Sequence, residues 1–272
     1  MKIIDFLLLI NVVHAYHKTA EIFQKLQHEC DTVEQLNCTM SNDIMVVDWN
    51  KHLPRDIVWS FNEHAREKIT GELALKSILQ LKEIKPKRRI TIVPVLNVWG
   101  RKMVERGKVC LRKNRNGVDT NRNFPTKYKR HYRKRSQEYE GKHPLSEKES
   151  ILISKLLKHA KRYINVHSGE FSLYMPWDSR TDHVPNEKHM RKQLQVFKQH
   201  CPQCSVGSAA TTSSYKAFGT SADYAIETGV QEAYTFEIFG SRGNCDKMFN
   251  PYGLQKVKVL SQWKKIMALA AL

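Results

Sequence analysis

The chain has 272 residues, 41% of them hydrophobic, ample core for one large domain or two small ones. Its 45 Lys and Arg against 27 Asp and Glu leave a net charge of +18, a field that favours anionic partners and says nothing about the fold. Beyond residue 15 no apolar run is long enough to span a bilayer, which excludes a transmembrane segment there.

Residues 1–15 read as a cleaved targeting segment. Lys2 gives a weak positive start and residues 6–13 are mostly apolar, with Asp5 as an interruption. Val13-His14-Ala15 resembles a small-residue cleavage site, which makes Tyr16 the mature N-terminus and the protein secreted or lumenal in the endomembrane system. The six cysteines, Cys30, Cys38, Cys110, Cys201, Cys204 and Cys245, fit such an oxidising compartment. Cys201-Pro202-Gln203-Cys204 lacks the second CxxC or the His pair of a zinc knuckle, so disulfides are expected, with the pairing open. Asn37-Cys38-Thr39 is a glycosylation sequon.

Helical spacing of Ile22, Phe23 and Leu26 predicts a short helix over 16–29. Residues 44–47 and 57–61 read as strands, the second followed by an amphipathic helix over 69–81. Residues 90–96 are a buried-strand candidate, tempered by Pro94. The stretch 97–126 is rich in Asn, Arg and Gly and is expected to be a long loop, a common seat of function. The run 127–135 interleaves Tyr128 and Tyr132 with cations. It suits an anionic glycan or surface, and its plainer reading is a solvated loop; no specific nucleic-acid binding is expected. Ser146 and Glu149 form a capping box for a helix over 147–161. Strands over 163–167, 171–175 and 233–239 and helices over 186–199, 219–228 and 254–269 follow. Strands alternating with helices argue a single α/β domain with helices on both faces of a central sheet.

Asn62-Glu63-His64-Ala65-Arg66-Glu67 falls where one strand stops and a helix starts. Three residues apart, His64 and Glu67 can face one spot and make two-thirds of a His/His/carboxylate zinc site. His167 ends its strand just before Ser168-Gly169, at the sheet edge where α/β proteins gather ligands, and is the candidate third ligand. Gly117-Val118-Asp119-Thr120-Asn121-Arg122-Asn123-Phe124 puts a guanidinium fork beside an amide, a pattern suited to a carboxylate. Arg112 lies just upstream. Glu237 is a carboxylate inside the apolar strand Tyr234-Thr235-Phe236-Glu237-Ile238, so it needs a partner or a role.

Taken in order, five stretches, at 64–67, 112–124 and 164–168, the Tyr215 loop and 235–237, resemble the zinc metallocarboxypeptidases, the carboxypeptidase A and B relatives, across nearly all of residues 55–250. The runs around His167 and after Glu237 look most like a plant and protist branch. The resemblance implies a central mixed, mostly parallel β-sheet with helices on both faces. The catalytic domain is expected over 16–272; the segment between Tyr16 and His64 is too short for the inhibitory pro-domain that many relatives carry, so none is expected. The resemblance also implies that His64, Glu67 and His167 hold one Zn²⁺, with water in the fourth position. Glu237 would be the general base and Arg112 the oxyanion stabiliser. Asn121 and Arg122 would grip the C-terminal carboxylate of a peptide, Tyr215 would close over the bound residue, and Arg66 would line an outer subsite. Asp119 would orient His64. For the terminal side chain, Ala222 maps to the pocket floor and is neutral, whereas Asp178 falls where relatives that remove Lys or Arg place their pocket Asp. The expected reaction is hydrolysis of the C-terminal peptide bond, with Asp178 favouring Lys or Arg. The alternatives are a hydrolase of the same fold acting on acidic or cell-wall peptides, and a zinc-binding module without activity that serves adhesion or glycan binding.

Overall fold

Eight strands, the central ones apolar, pair into one sheet in the computed structural model, which describes residues 16–272. The targeting segment expected over 1–15 lies outside the described residues. In chain order the elements are α1 (Thr19–Thr32), β1 (Leu36–Ser41), β2 (Ile44–Trp49), β3 (Arg55–Phe61), α2 (Lys68–Ile84), β4 (Arg89–Val93) and α3 (Val98–Glu105). After a 3₁₀ turn (Thr120–Arg122) come α4 (Lys148–Leu157), β5 (Arg162–His167), β6 (Phe171–Met175), α5 (Glu187–Lys198), β7 (Ser205–Ser208) and α6 (Ala209–Thr212). α7 (Ser221–Glu227), β8 (Glu232–Ile238), α8 (Cys245–Phe249) and α9 (Gly253–Ala270) complete the fold.

The strand order is β1-β2-β4-β3-β5-β8-β6-β7. The central strands β4, β3, β5 and β8 run parallel, and β1, β2 and the β6–β8 pairing are antiparallel. This is the mixed, mostly parallel α/β architecture expected. Parallel strands buried on both faces need continuous apolar sequence, and β3, β4 and β5 are buried along almost their whole length. Alternation sorts β8: Phe236 packs on Trp263 of α9 and Phe197 of α5, while Thr235 and Glu237 face the other way, into a cleft.

Three local expectations change. The stretch 97–126 is not all loop: α3 lies inside it, because Asn97 caps it by accepting from the Gly100 N–H at 2.9 Å. The first helical residue after Ser146 is Lys148, and Ser146 is not the cap. The cap position is Glu147, and Asn123 anchors it from outside, its Oδ1 accepting the Glu147 N–H at 3.2 Å, while Ser146 accepts from Asn123 and donates to Glu147. The edge strands β1 and β7, with polar, half-exposed sequences, form by pairing with β2 and β6. Cysteines pair locally, Cys30 with Cys38 and Cys201 with Cys204; the thiols of Cys110 and Cys245 are free and within hydrogen-bonding reach of each other.

The turn from β3 into α2 is held by a buried cation. Arg101 of α3 is fully buried; it donates to Asn62 Oδ1 at 2.8 Å, Lys68 O at 3.0 Å and His17 O at 2.9 Å, and pairs with Glu105 at 3.2 Å. Asn62, in the left-handed region at φ 52°, in turn donates to the His64 carbonyl at 2.9 Å. Replacing Arg101 by Met strands these acceptors, so Arg101→Met is expected to lower unfolding stability in urea by about 3 kcal/mol or more.

Candidate active site

The carboxyl ends of β3, β5 and β8 open into one cleft of about 270 Å³. Its wall includes His64, Arg66, Glu67, Arg112, Asn121 and Arg122. His167 and Glu237 are register partners on neighbouring parallel strands, so their side chains emerge side by side. His64 and Glu67 arrive from the β3–α2 junction on the other side of β5.

Donor atoms from three of these residues meet. His64 Nδ1 lies 2.8 Å from Glu67 Oε1; His167 Nδ1 lies 3.0 Å from Glu67 Oε2 and 3.1 Å from His64 Nδ1. All three side chains are buried. Two imidazole nitrogens and a carboxylate facing a common point form a cation site. Donors in a tetrahedral zinc shell with bonds of about 2.0–2.1 Å stand roughly 3.3 Å apart, so a zinc ion fits after a small expansion. Burial opposes the charge on Glu67, yet the two imidazoles hold its carboxyl well below the usual range. Burial likewise opposes a proton on His167, and the charge and hydrogen bond of Glu67 overcome it, raising His167 to about 9.

Asp119 ties the site together. It accepts from His64 Nε2 at 3.1 Å, from Arg112 Nε and Nη2 at 2.8 and 2.6 Å, and from the Asn121 N–H at 3.1 Å. Burial disfavours its charge; Arg112 first and then His64 hold it far below the usual range. Asn121 Oδ1 accepts from the Ser221 N–H and hydroxyl at 2.9 and 3.0 Å, leaving its amide nitrogen toward His167 Nε2 at 3.4 Å. Arg122 donates to Asn121 O at 2.9 Å and Glu138 at 3.2 Å, and its Nε is buried without a partner. Gly219 fits against it closely: a Cβ at Gly219, at φ +71°, would come within 2.3 Å of Arg122 O. Glu237 Oε2 is buried and unpartnered, and burial pushes this carboxyl up to about 8. Tyr215 reaches the rim and is exposed, and the Arg66 guanidinium lies 4.2 Å over the Phe249 ring.

A sequence profile described as "Zinc carboxypeptidase" matches residues 41–259. The chain belongs to the zinc carboxypeptidase family. Among curated relatives, carboxypeptidase A5 of Macaca fascicularis is 27% identical over 148 residues, covering 50% of this chain and 33% of that protein. Carboxypeptidase A4 of Mus musculus is 28% identical over 214 residues, covering 68% and 51%. The matches thus span about a third to a half of those relatives. In fold, the chain superposes on bovine thrombin-activatable fibrinolysis inhibitor with a TM-score of 0.81 at 21% identity, covering 94% of this chain and 96% of that one. The corresponding values for carboxypeptidase A from Helicoverpa armigera are 0.79 and 20%, covering 94% and 73%.

Of the residues singled out in the sequence, His64, Arg66, Glu67, Arg112, Asn121, Arg122, His167, Asp178, Tyr215 and Glu237 line the cleft. Asp119 sits behind it, fully buried. Ala222 does not line it: α7 turns Ala222 inward, 1% exposed, and Thr220 at the helix cap faces the cleft instead. Three side chains escaped the sequence reading. Glu63, 1% exposed, stands next to His64, and an acid directly behind an apolar strand was its signal. Asp223 holds the Asp178 segment, accepting from the Asp178 and Ser179 N–H groups at 2.7 and 3.2 Å. Asn165, two residues before His167, bridges Glu63 and Ser221 at 2.8 and 2.9 Å.

Because metal must displace the proton that His167 holds below about 9, zinc affinity of the metal-free protein should rise roughly tenfold per pH unit between pH 6 and 8, with proton release. Calorimetric titration in buffers of different ionisation enthalpy checks this; a pH-independent affinity contradicts it.

Proposed function

We propose that this protein is a zinc-dependent carboxypeptidase that hydrolyses the last peptide bond of peptides and proteins, with a preference for C-terminal Lys or Arg. The observation that carries the reading is the buried, unpartnered Glu237 carboxylate oxygen beside the His64, Glu67 and His167 cluster. His64, Glu67 and His167 would hold a zinc ion, which would supply Lewis acidity for the scissile carbonyl and for water. Glu237 takes a proton from the attacking water and later returns it to the leaving amine. A carboxyl kept from solvent and raised above its ordinary range suits both halves of that transfer, and the charge of a bound cation pulls it back toward the ionised form. Arg112, locked by Asp119, offers donors to the oxygen on which negative charge develops. Asn121 and Arg122 take the terminal carboxylate, which restricts cleavage to chain ends. Arg66 is placed for residues upstream of the scissile bond, and Tyr215, exposed on a Ser- and Gly-bounded segment, is placed to fold over the bound residue.

The side-chain preference rests on Asp178. It is buried in the cleft wall, its N–H held by Asp223, and burial raises its carboxyl. A cationic side chain entering beside two buried carboxyls relieves that cost, whereas an anionic one adds to it. The +18 surface points to acidic peptides instead, but salt screens that field beyond about 8 Å, so the wall of the pocket decides. The chain is further proposed to act outside the cytosol: its two disulfides fit an oxidising compartment, and no helix among the described residues is long and apolar enough to cross a membrane.

Release of C-terminal residues from a mixed peptide set, abolished by chelator and restored by zinc, tests the activity. Glu237→Gln is expected to keep its zinc and lose turnover by about a thousandfold or more; an active variant contradicts the assigned base, and an inert wild type favours a binding module. On matched substrates, kcat/KM for terminal Arg should exceed that for terminal Phe by about tenfold or more, and Asp178→Asn should erase the difference. Equal rates on Arg and Phe substrates in the wild type remove the preference.

A further inference from the structure

The second metal histidine lacks the kind of partner the first one has. When Nδ1 of an imidazole gives its lone pair to a cation, Nε2 must carry the remaining proton and needs an acceptor. For His64 that acceptor is Asp119, 3.1 Å from Nε2. For His167, the Asn121 amide nitrogen lies 3.4 Å from Nε2, and it is itself a donor. The Asn121 oxygen does not turn to replace it, because the Ser221 N–H and hydroxyl both hold that oxygen. With Nδ1 committed to a metal, two donors would therefore face each other.

A carboxylate oxygen close to Nε2 is that of Glu63. Its Oε2 lies 3.8 Å from His167 Nε2 and 2.8 Å from Asn165 Nδ2, and its Oε1 is buried with no partner. Resting on the zinc reading above, we infer that Glu63 is a positioning residue for the metal: once His167 Nδ1 binds zinc, the Glu63 carboxylate accepts the hydrogen bond from Nε2–H and fixes that imidazole's tautomer and tilt. The move required is about 1 Å, from 3.8 Å to ordinary hydrogen-bond length. Glu63 is adjacent to His64 in sequence, so the same turn delivers one ligand to the metal and one carboxylate to the back of another ligand.

Two features of the surroundings agree. A carboxylate 1% exposed with one free oxygen is costly unless a cation is near, and the metal would be the nearest compensating charge, relayed through the polarised imidazole. Asn165 holds Oε2 from β5, the strand that carries His167 two residues later, so Glu63 and the ring are referenced to the same backbone. With Nε2–H satisfied by Glu63, the Asn121 amide is turned away from His167 and left free for the cleft, where a substrate carboxylate enters.

The test compares wild type with Glu63→Gln and Glu63→Asp. Gln keeps an acceptor for Asn165 at the same reach but is neutral; Asp keeps the charge and withdraws it from His167. Zinc affinity is measured by competition with a chromogenic chelator, thermal stability on the metal-free proteins, and the Nε2 proton of His167 by NMR of zinc-loaded, ¹⁵N-histidine-labelled protein. Glu63→Gln is expected to weaken zinc binding about 10–100-fold without lowering metal-free stability, and to shift the His167 Nε2 proton upfield. Glu63→Asp should weaken binding as well, since charge without reach does not serve. Unchanged affinity in both variants, or an unmoved Nε2 proton, overturns the assignment of Glu63 alone. Weakened binding that merely follows a lower metal-free melting temperature assigns Glu63 a structural role and also overturns it. A wild type that takes up no zinc overturns both this inference and the function on which it rests.

Discussion

One buried carboxylate sets the geometry of the site. Asp119 is out of solvent, and an isolated charge there would cost several kcal/mol. It is stable because every direction is answered: a guanidinium on one oxygen, an imidazole and a backbone N–H on the other. The consequence is positional. The 3₁₀ turn carrying Asn121 and Arg122 has few apolar anchors of its own, so Asp119 fastens it to Arg112 and to the metal-ligating turn at His64. Asn121, Arg112 and His64, the groups on which the proposed activity rests, are thereby tied to one carboxylate.

The other half of the site comes from sheet register. His167 and Glu237 are partners across parallel strands, about 4.8 Å apart by the pairing of such strands, and both face the side opposite Phe236. A one-residue slip would turn one of them into the apolar layer of Trp263 and Phe197. That layer is what excludes the slip: Phe236, Phe197 and Trp263 form edge and tilted ring contacts that leave no room for a carboxylate. Core packing on one face of β8 thus fixes chemistry on the other.

The electrostatics of the molecule divide by depth. The surface carries the excess of Lys and Arg, while the cleft gathers Glu67, Glu170, Asp178 and Glu237, with Glu63 and Asp223 just behind. Inside, arginines are spent locally, Arg112 on Asp119 and Arg122 on Glu138. The net positive field therefore belongs to the surface, and the local charge within the cleft is set by its own groups.

Sequence by itself determined the α/β class, the central strands and most of the chemical inventory. Alternation and apolar runs are local properties, and the HxRE, NRNF and TFE stretches each carry their residue types in contiguous order. The short edge strands β1 and β7 were not legible, since polar sequence becomes strand there only by pairing with a neighbour. Nor was α3 legible, whose start depends on the Asn97 cap and whose Arg101 is buried by contacts with Asn62, Lys68 and His17. Tertiary structure alone decided that Thr220 rather than Ala222 faces the cleft, that Asn123 holds the Glu147 N–H at the start of α4, and that Glu63 comes within 3.8 Å of His167. The physical reason is common to all three. Which atom of a side chain meets which partner, when more than about twenty residues separate them, depends on strand register and helix rotation, and those are fixed by packing across the whole core rather than by any local stretch of chain.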